Sequence, residues 1–173
     1  MTKAPAEIGM RLQDVDTPAL ILDLDAFETN LTRLSDAVGK RVRVRAHAKT
    51  HKCPEIGKRQ IAAGAVGVCC QKVSEAEAMV EGGIGDVLIS NEIVGARKLE
   101  RLAALAKRAR IGVCVDHADN VREVQAAAQR AGATVETYIE LEVGMRRCGV
   151  APGEPALALV KAIAACANLR FAG

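Results

Sequence analysis

Short apolar runs rich in β-branched residues recur along this chain, separated by Ala-rich stretches with helical spacing, and that alternation admits few folds. The runs are "ALILDL" (19–24), "RVRVRAHA" (41–48), "VGVCCQ" (66–71), "DVLISN" (86–91), "IGVCVD" (111–116) and "VETYIELEV" (135–143), with "LRFAG" (169–173) opening another. Between them, Leu31, Leu34 and Val38, and again Leu99, Leu102 and Leu105, recur at three and four residues, as one face of a helix requires. Ser74 and Asp116 stand where N-caps are expected, and Gly39, Gly64, Gly82–Gly83 and Gly132 where helices should stop. Strands alternating with helices of this length predict right-handed βαβ units and a parallel sheet, an α/β fold. Hydrophobic residues make up 50% of the chain and aromatics only 2%, so the core must be built from Ala, Val, Leu and Ile, as in helices packed on a parallel sheet.

Two α/β architectures fit. The dinucleotide fingerprint of an open doubly wound sheet is absent, because "GGIG" (82–85) follows a helix rather than a strand. No P-loop is present either. A complete (β/α)8 barrel takes about 250 residues, and this chain has 173. The expectation is a small open sheet or the first part of a barrel. The 24 basic and 21 acidic residues leave a net charge of +3, too balanced to argue for nucleic acid or an anionic membrane as partner. No signal peptide or membrane-spanning run is read, so a cytoplasmic location is expected. The six cysteines contain no CxxC pair and read as reduced thiols acting as small hydrophobes.

The most loaded stretch is "RVRVRAHAKTHKCPEI" (41–56), which sets two of the three histidines beside two lysines. Side chains of a strand alternate between faces. Val42, Val44, Ala46 and Ala48 then share one face, and Arg41, Arg43, Arg45, His47 and Lys49 the other. Helices on both sides in sequence suggest a central strand. In a barrel Lys49 would lie at the carboxyl end, where barrel active sites sit, as a nucleophile toward carbonyls. Two other readings stay open: an edge strand with a solvated basic face, and metal binding by His47 and His51. Their four-residue spacing suits a helix better than a strand end. Arg146 and Arg147, in "VGMRRCGV", would sit on the same rim, able to hold an anionic group or to be a solvated turn. Gln71 ends a strand there, as a hydrogen-bond donor or a plain loop residue.

"RAHAKTHKCPEI", "GVCCQKVSEAE", "ISNEIVGARKL", "GVCVDHADNV" and "VGMRRCGV" resemble, in order and spacing, the N-terminal part of the D-threonine aldolase and D-serine dehydratase family. The likeness runs from about Asp14 to Gly173. It implies an incomplete (β/α)8 TIM barrel of the alanine racemase N-terminal type, with about six βα units. Residues 1–173 would form a partial pyridoxal-phosphate-binding barrel domain, with the family's C-terminal β-domain absent. By resemblance, Lys49 matches the lysine that holds pyridoxal 5'-phosphate as a Schiff base. Arg147 matches the arginine beside the cofactor ring, and Gln71 a glutamine of the pocket. His47 and His51 belong to the motif in a supporting role. Tyr138 is near the site by position alone. Ala46 and Met145–Arg146 depart from the residues common in the family. The implied activity is cleavage of D-3-hydroxy amino acids such as D-threonine to glycine and an aldehyde. Dehydration of D-serine or 3-hydroxyaspartate, or a non-catalytic carrier of the cofactor, are the alternatives. The family's divalent metal (Mn, Mg or Zn) would have its ligands beyond residue 173, so none is assigned within this chain. An intact version is expected to be a homodimer, and this chain by itself to have little activity. The apolar face of "ALILDLDAF" is expected to be uncovered.

Overall fold

The computed structural model describes residues 4–173, and the chain divides into two compact units, one ending at Gly39 and one running from Lys40 to Gly173. The first unit contains a short 3-10 turn (Leu12–Asp14), a cis Thr17–Pro18 peptide and helix α1 (Leu24–Val38). Asp23 starts α1: its carboxylate accepts the Ala26 N–H at 2.9 Å and satisfies one of the first turn's orphan donors. The strand expected over 19–24 does not form. Leu24 is already helical, and no neighbouring strand among the described residues offers residues 19–23 a partner for their backbone groups. Leu20 is fully exposed, and Ile21 and Leu22 are exposed as well.

The second unit is a six-stranded sheet with its crossover helices. The elements are β1 (Ala46–His47), α2 (Pro54–Ala62), β2 (Val68–Cys70), α3 (Val73–Glu81), β3 (Asp86–Glu92), α4 (Ala96–Leu105), β4 (Arg110–Val115), α5 (Ala118–Ala131), β5 (Val135–Ile139), α6 (Glu154–Ala164) and β6 (Leu169–Phe171). Every strand pair is parallel and the strands lie in chain order from β1 to β6. With crossovers of one hand, that order puts the helices on a single face, as in a barrel wall. The sheet is not closed, so the architecture is the incomplete barrel expected.

Alternation sorts the strand residues. Val68, Val87, Ile89, Val113, Val115 and Val135 are buried and share the core with Met79, Leu102, Val121, Val124 and Ile163 from the helices. The α4 stripe is as the spacing predicts, with Leu99, Leu102 and Leu105 all buried. The opposite parity carries charge at the amino ends of the strands. Arg45 pairs with Asp86 at 2.7 Å, and Arg110 reaches Asp86 at 3.3 Å and Glu136 at 2.7 Å. Arg170 closes on the same Glu136 carboxylate. Cation and anion thus alternate along one end of the sheet, which is how the buried Glu136 and the part-buried Arg45 and Asp86 are tolerated.

Three sequence expectations change. The alternation over 41–48 yields only two ladder residues, because residues 39–41 form a 3-10 turn and the chain joins the sheet at Val44, whose carbonyl accepts the Val66 N–H at 2.9 Å. Val42, upstream of that point, is exposed. Strand β1 is an edge strand, not a central one: helices on both sides in sequence do not supply a strand on both sides in space. The caps also shift. Lys72, not Ser74, precedes α3, and His117, not Asp116, caps α5 by accepting the Asp119 N–H on Nδ1 at 3.2 Å.

Candidate functional site

Parallel strands in chain order bring all their carboxyl ends to one edge, so the connections that follow them form a common rim. Lys49 follows β1, Gln71 follows β2, Asn91 and Glu92 end β3, Asp116 follows β4, and Glu140, Arg147 and Cys148 follow β5. The candidates Lys49, Gln71 and Arg147 therefore share this rim, Lys49 and Gln71 over neighbouring strands and Arg147 further along.

The turn carrying Lys49 is organised by its histidines. His47 Nδ1 accepts the Lys49 N–H at 3.3 Å, and His51 Nδ1 accepts the Cys53 N–H at 3.1 Å. Lys52 completes the turn with a left-handed backbone, φ 51°. Burial holds the His51 imidazole below its ordinary pKa, opposed by the Cys53 backbone and the nearby Gln60 side chain. A histidine whose Nδ1 is taken by a backbone N–H has one nitrogen left for anything else, so the metal pair His47–His51 loses half its donor atoms. The Lys49 residue itself is exposed, and Lys52 beside it is drawn toward Glu75 at 3.7 Å.

That glutamate explains why two motifs far apart in sequence occur together. Glu75 is buried; one carboxylate oxygen accepts the Gln71 N–H at 2.8 Å and the other faces Lys52. It sits in the first turn of α3 and reaches back to the residue before the N-cap, a variant of the capping box. The β1 and β2 connections are thereby tied to one side chain. Asn91 adds a hydrogen bond to the Gln71 carbonyl at 3.3 Å. A cavity of about 250 Å³ opens here, lined by Gln71, Lys72, Asn91, Glu92, Lys98 and Arg101 among others.

Further along the rim, ligand atoms of Glu92, Glu140 and Cys148 lie within 4.8 Å of one another. The Cys148 thiol donates to Glu140 Oε1 at 3.5 Å. Burial, then the nearby Asp116 and Glu140 carboxylates, push the Glu92 pKa up, and Arg147 pulls it back. The Cys148 thiol is raised by burial and by Glu92 and Glu140, again opposed by Arg147. Arg147 therefore stands as the cation that opposes the upward shifts of Glu92 and Cys148. Sequence reading missed this group and missed Glu75. Glu92 ends β3 while Glu140 and Cys148 lie in the β5–α6 connection, and only these strand-end positions hinted at a shared rim. Tyr138, placed near the site by position, is turned the other way: its hydroxyl donates to Glu136 Oε2 at 3.4 Å, in the charged layer at the opposite end of the sheet.

Residues 22–173 match the family model described as alanine racemase, N-terminal domain. The chain is 48% identical over 170 residues to a D-threonine aldolase of an Arthrobacter species, an alignment covering 98% of this chain and 45% of that protein. It is 46% identical over 172 residues to a 3-hydroxy-D-aspartate aldolase of Paracoccus denitrificans, covering 98% of this chain and 44% of that one. Among solved structures, the D-threonine aldolase from Filomicrobium marinum superimposes with a TM-score of 0.95 at 60% identity, over 99% of this chain and 47% of that one. The chain thus spans less than half the length of these relatives. No helix among the described residues is long and apolar enough to cross a membrane.

Proposed function

The chain belongs to the alanine racemase N-terminal domain family, and on that premise we propose that it is the cofactor-bearing part of a pyridoxal-phosphate-dependent aldolase. Its substrates would be D-3-hydroxy amino acids such as D-threonine, released as glycine and an aldehyde. The observation that carries the proposal is Lys49: an exposed primary amine at the carboxyl end of β1, on a turn whose backbone is fixed by His47 and His51. Such an amine can bond covalently to the cofactor's aldehyde carbon, which a hydrogen-bonding residue could not do.

The residues present fit the cofactor. An anionic aldehyde needs a reachable amine, cations and polar partners, and this rim offers Lys49, Arg147 and Gln71, with His47 underneath the lysine. Bound pyridoxal phosphate supplies an electron sink for the charge left when a bond at the substrate Cα breaks. The protein's own groups do the rest. Lys49 would carry the cofactor. His47 holds the Lys49 backbone, so the amine starts from a fixed base. Gln71, pinned by Glu75 and Asn91, would present its amide to the pocket. Arg147 would lie beside the cofactor ring and favour negative charge there. The same four residues were singled out in the sequence by resemblance; the geometry supports the proposal by putting three of them on one rim and the fourth against Lys49. A divalent metal, if the activity requires one, belongs to the whole protein of the relatives' length, and so do the homodimer and a cytoplasmic location.

Borohydride reduction in the presence of pyridoxal phosphate, followed by peptide mapping, tests the assignment. The tag is expected on Lys49, and a tag on another lysine overturns it. With D-threonine and the whole protein, glycine plus acetaldehyde supports the aldolase, whereas 2-oxobutanoate plus ammonia would make it a dehydratase.

A further inference from the structure

The connection between β5 and α6 is built around a carboxylate that the functional reading leaves idle. Its two ends are pinned together: the Glu142 N–H donates to the Val150 carbonyl at 2.9 Å, and the Val150 N–H to the Glu140 carbonyl at 3.0 Å. Between these points the chain makes a tight loop. Arg146 takes a left-handed backbone, φ 51°, and Gly149 lies at φ 98°. A Cβ on Gly149 would fall 2.6 Å from the Glu142 nitrogen and 2.7 Å from the Leu141 carbonyl carbon, so the two limbs of the loop meet backbone to backbone.

Glu142 folds its side chain into this loop. One oxygen accepts the Gly144 N–H, and the other accepts the Arg147 N–H at 3.2 Å. The Met145 and Arg146 N–H groups bear on the same carboxylate, and together these four donors hold its pKa below the usual range. Successive backbone N–H groups converging on one anion form a nest, a device that ordinarily binds a phosphate or a carboxylate from outside the chain. Here the anion is the chain's own, supplied from two residues upstream. From the next strand, Asp116 adds a second clamp by accepting the Gly149 N–H at 3.0 Å.

Arg147 is the last residue of the nest, so the direction in which its side chain leaves the backbone depends on Glu142 being charged and in place. We propose that Glu142 is the positioning residue for Arg147: by filling the nest it holds the guanidinium beside Glu92 and Cys148 on the rim, ready for the cofactor. This rests on the reading of Arg147 as a cofactor contact. It adds a residue that touches neither cofactor nor substrate yet sets how tightly the cofactor is held.

The experiment is a double-mutant cycle on the whole protein, with Glu142→Gln, Arg147→Gln and the pair. The readouts are the pyridoxal phosphate dissociation constant from absorbance titration, the borohydride tag at Lys49, and thermal unfolding of each variant without cofactor. Glu142→Gln removes the charge while keeping the shape, and is expected to weaken cofactor binding roughly tenfold, the scale of one charge-assisted hydrogen bond. Arg147→Gln is expected to weaken it at least as much. The pair should be no weaker than Arg147→Gln alone, because Glu142 acts only through Arg147. Glu142→Asp, which keeps the charge, should recover part of the loss. Losses that add, or an unchanged dissociation constant for Glu142→Gln with Lys49 still tagged, overturn this proposal alone. Absence of the Lys49 tag in the parent protein overturns the functional reading and this proposal with it. If Glu142→Gln does not fold, the same cycle run with Glu142→Asp decides the matter by the same additivity criterion.

Discussion

All three histidines do the same thing: each turns its Nδ1 back to accept a backbone N–H two residues ahead, at Lys49, Cys53 and Asp119. An imidazole can accept there only while that nitrogen is unprotonated. For His51 the consequence has a sign. Its folded-state pKa lies below the ordinary 6.5, so the fold favours the neutral ring; the stability it contributes is present above 6.5 and is lost as pH falls through the lower, folded value. Denaturant midpoints measured between pH 5 and 8 should fall on the acid side for the parent protein. A His51→Gln variant should show a flatter profile over the same window. The residue types of "HAKTHK" were legible as a loaded site, but their division of labour was not. Sequence shows two histidines and two lysines; only the folded turn shows the histidines holding backbone, one lysine exposed and the other drawn to Glu75. Cys70 illustrates the reverse case: its place in an apolar run was enough to read it as an inert thiol, and burial pushes it up to about 12.

At the scale of elements, the ion pairs at the amino ends of the strands centre on one buried carboxylate. Glu136 is buried and answers both Arg110 and Arg170. Glu136→Gln would leave Arg110 and Arg170 short of their counter-charge, but both are more than half exposed and water screens what is left. The expected loss of folding stability is about 1 kcal/mol, read as a lower denaturant midpoint. Glu77→Gln is the fitting comparison, since its carboxylate is less buried than that of Glu136 and has one arginine partner rather than two, so it should cost less. Helix α4 was readable because its Leu stripe has a period no strand shares. The 19–24 run was not, because six apolar-rich residues fit a strand, a buried coil or an exposed approach to a helix equally well, and only a pairing partner decides. Strand β1 sits between these cases. Its alternation is real, but alternation states which residues face apart, not how many of them find a ladder.

Across the whole molecule, a parallel sheet laid down in chain order is stiffest where strands are longest and flanked on both sides. Hydrogen exchange should therefore be slowest for amides of β3 and β4 and fastest for β1, which has two ladder residues and one neighbour. Equal protection at β1 and β4 would show that the edge is covered in solution. The α/β class and the barrel-like order were legible because alternation of elements and the handedness of crossovers leave few arrangements. The acidic group of Glu92, Glu140 and Cys148 was not, since no spacing rule links the end of β3 to the connection after β5, and the two meet only after the sheet has formed.

The charged layer at the amino ends and the rim at the carboxyl ends are separated by the full length of the strands. One end is a fastening, the other a workbench. Replacements among Lys49, Gln71, Arg147 and their neighbours leave the fastening intact, and changes in the fastening do not reach the tools. A protein arranged this way can try new substrates by altering its loops while the wall behind them keeps its shape, so the mutational routes to a new specificity begin at one edge of the sheet.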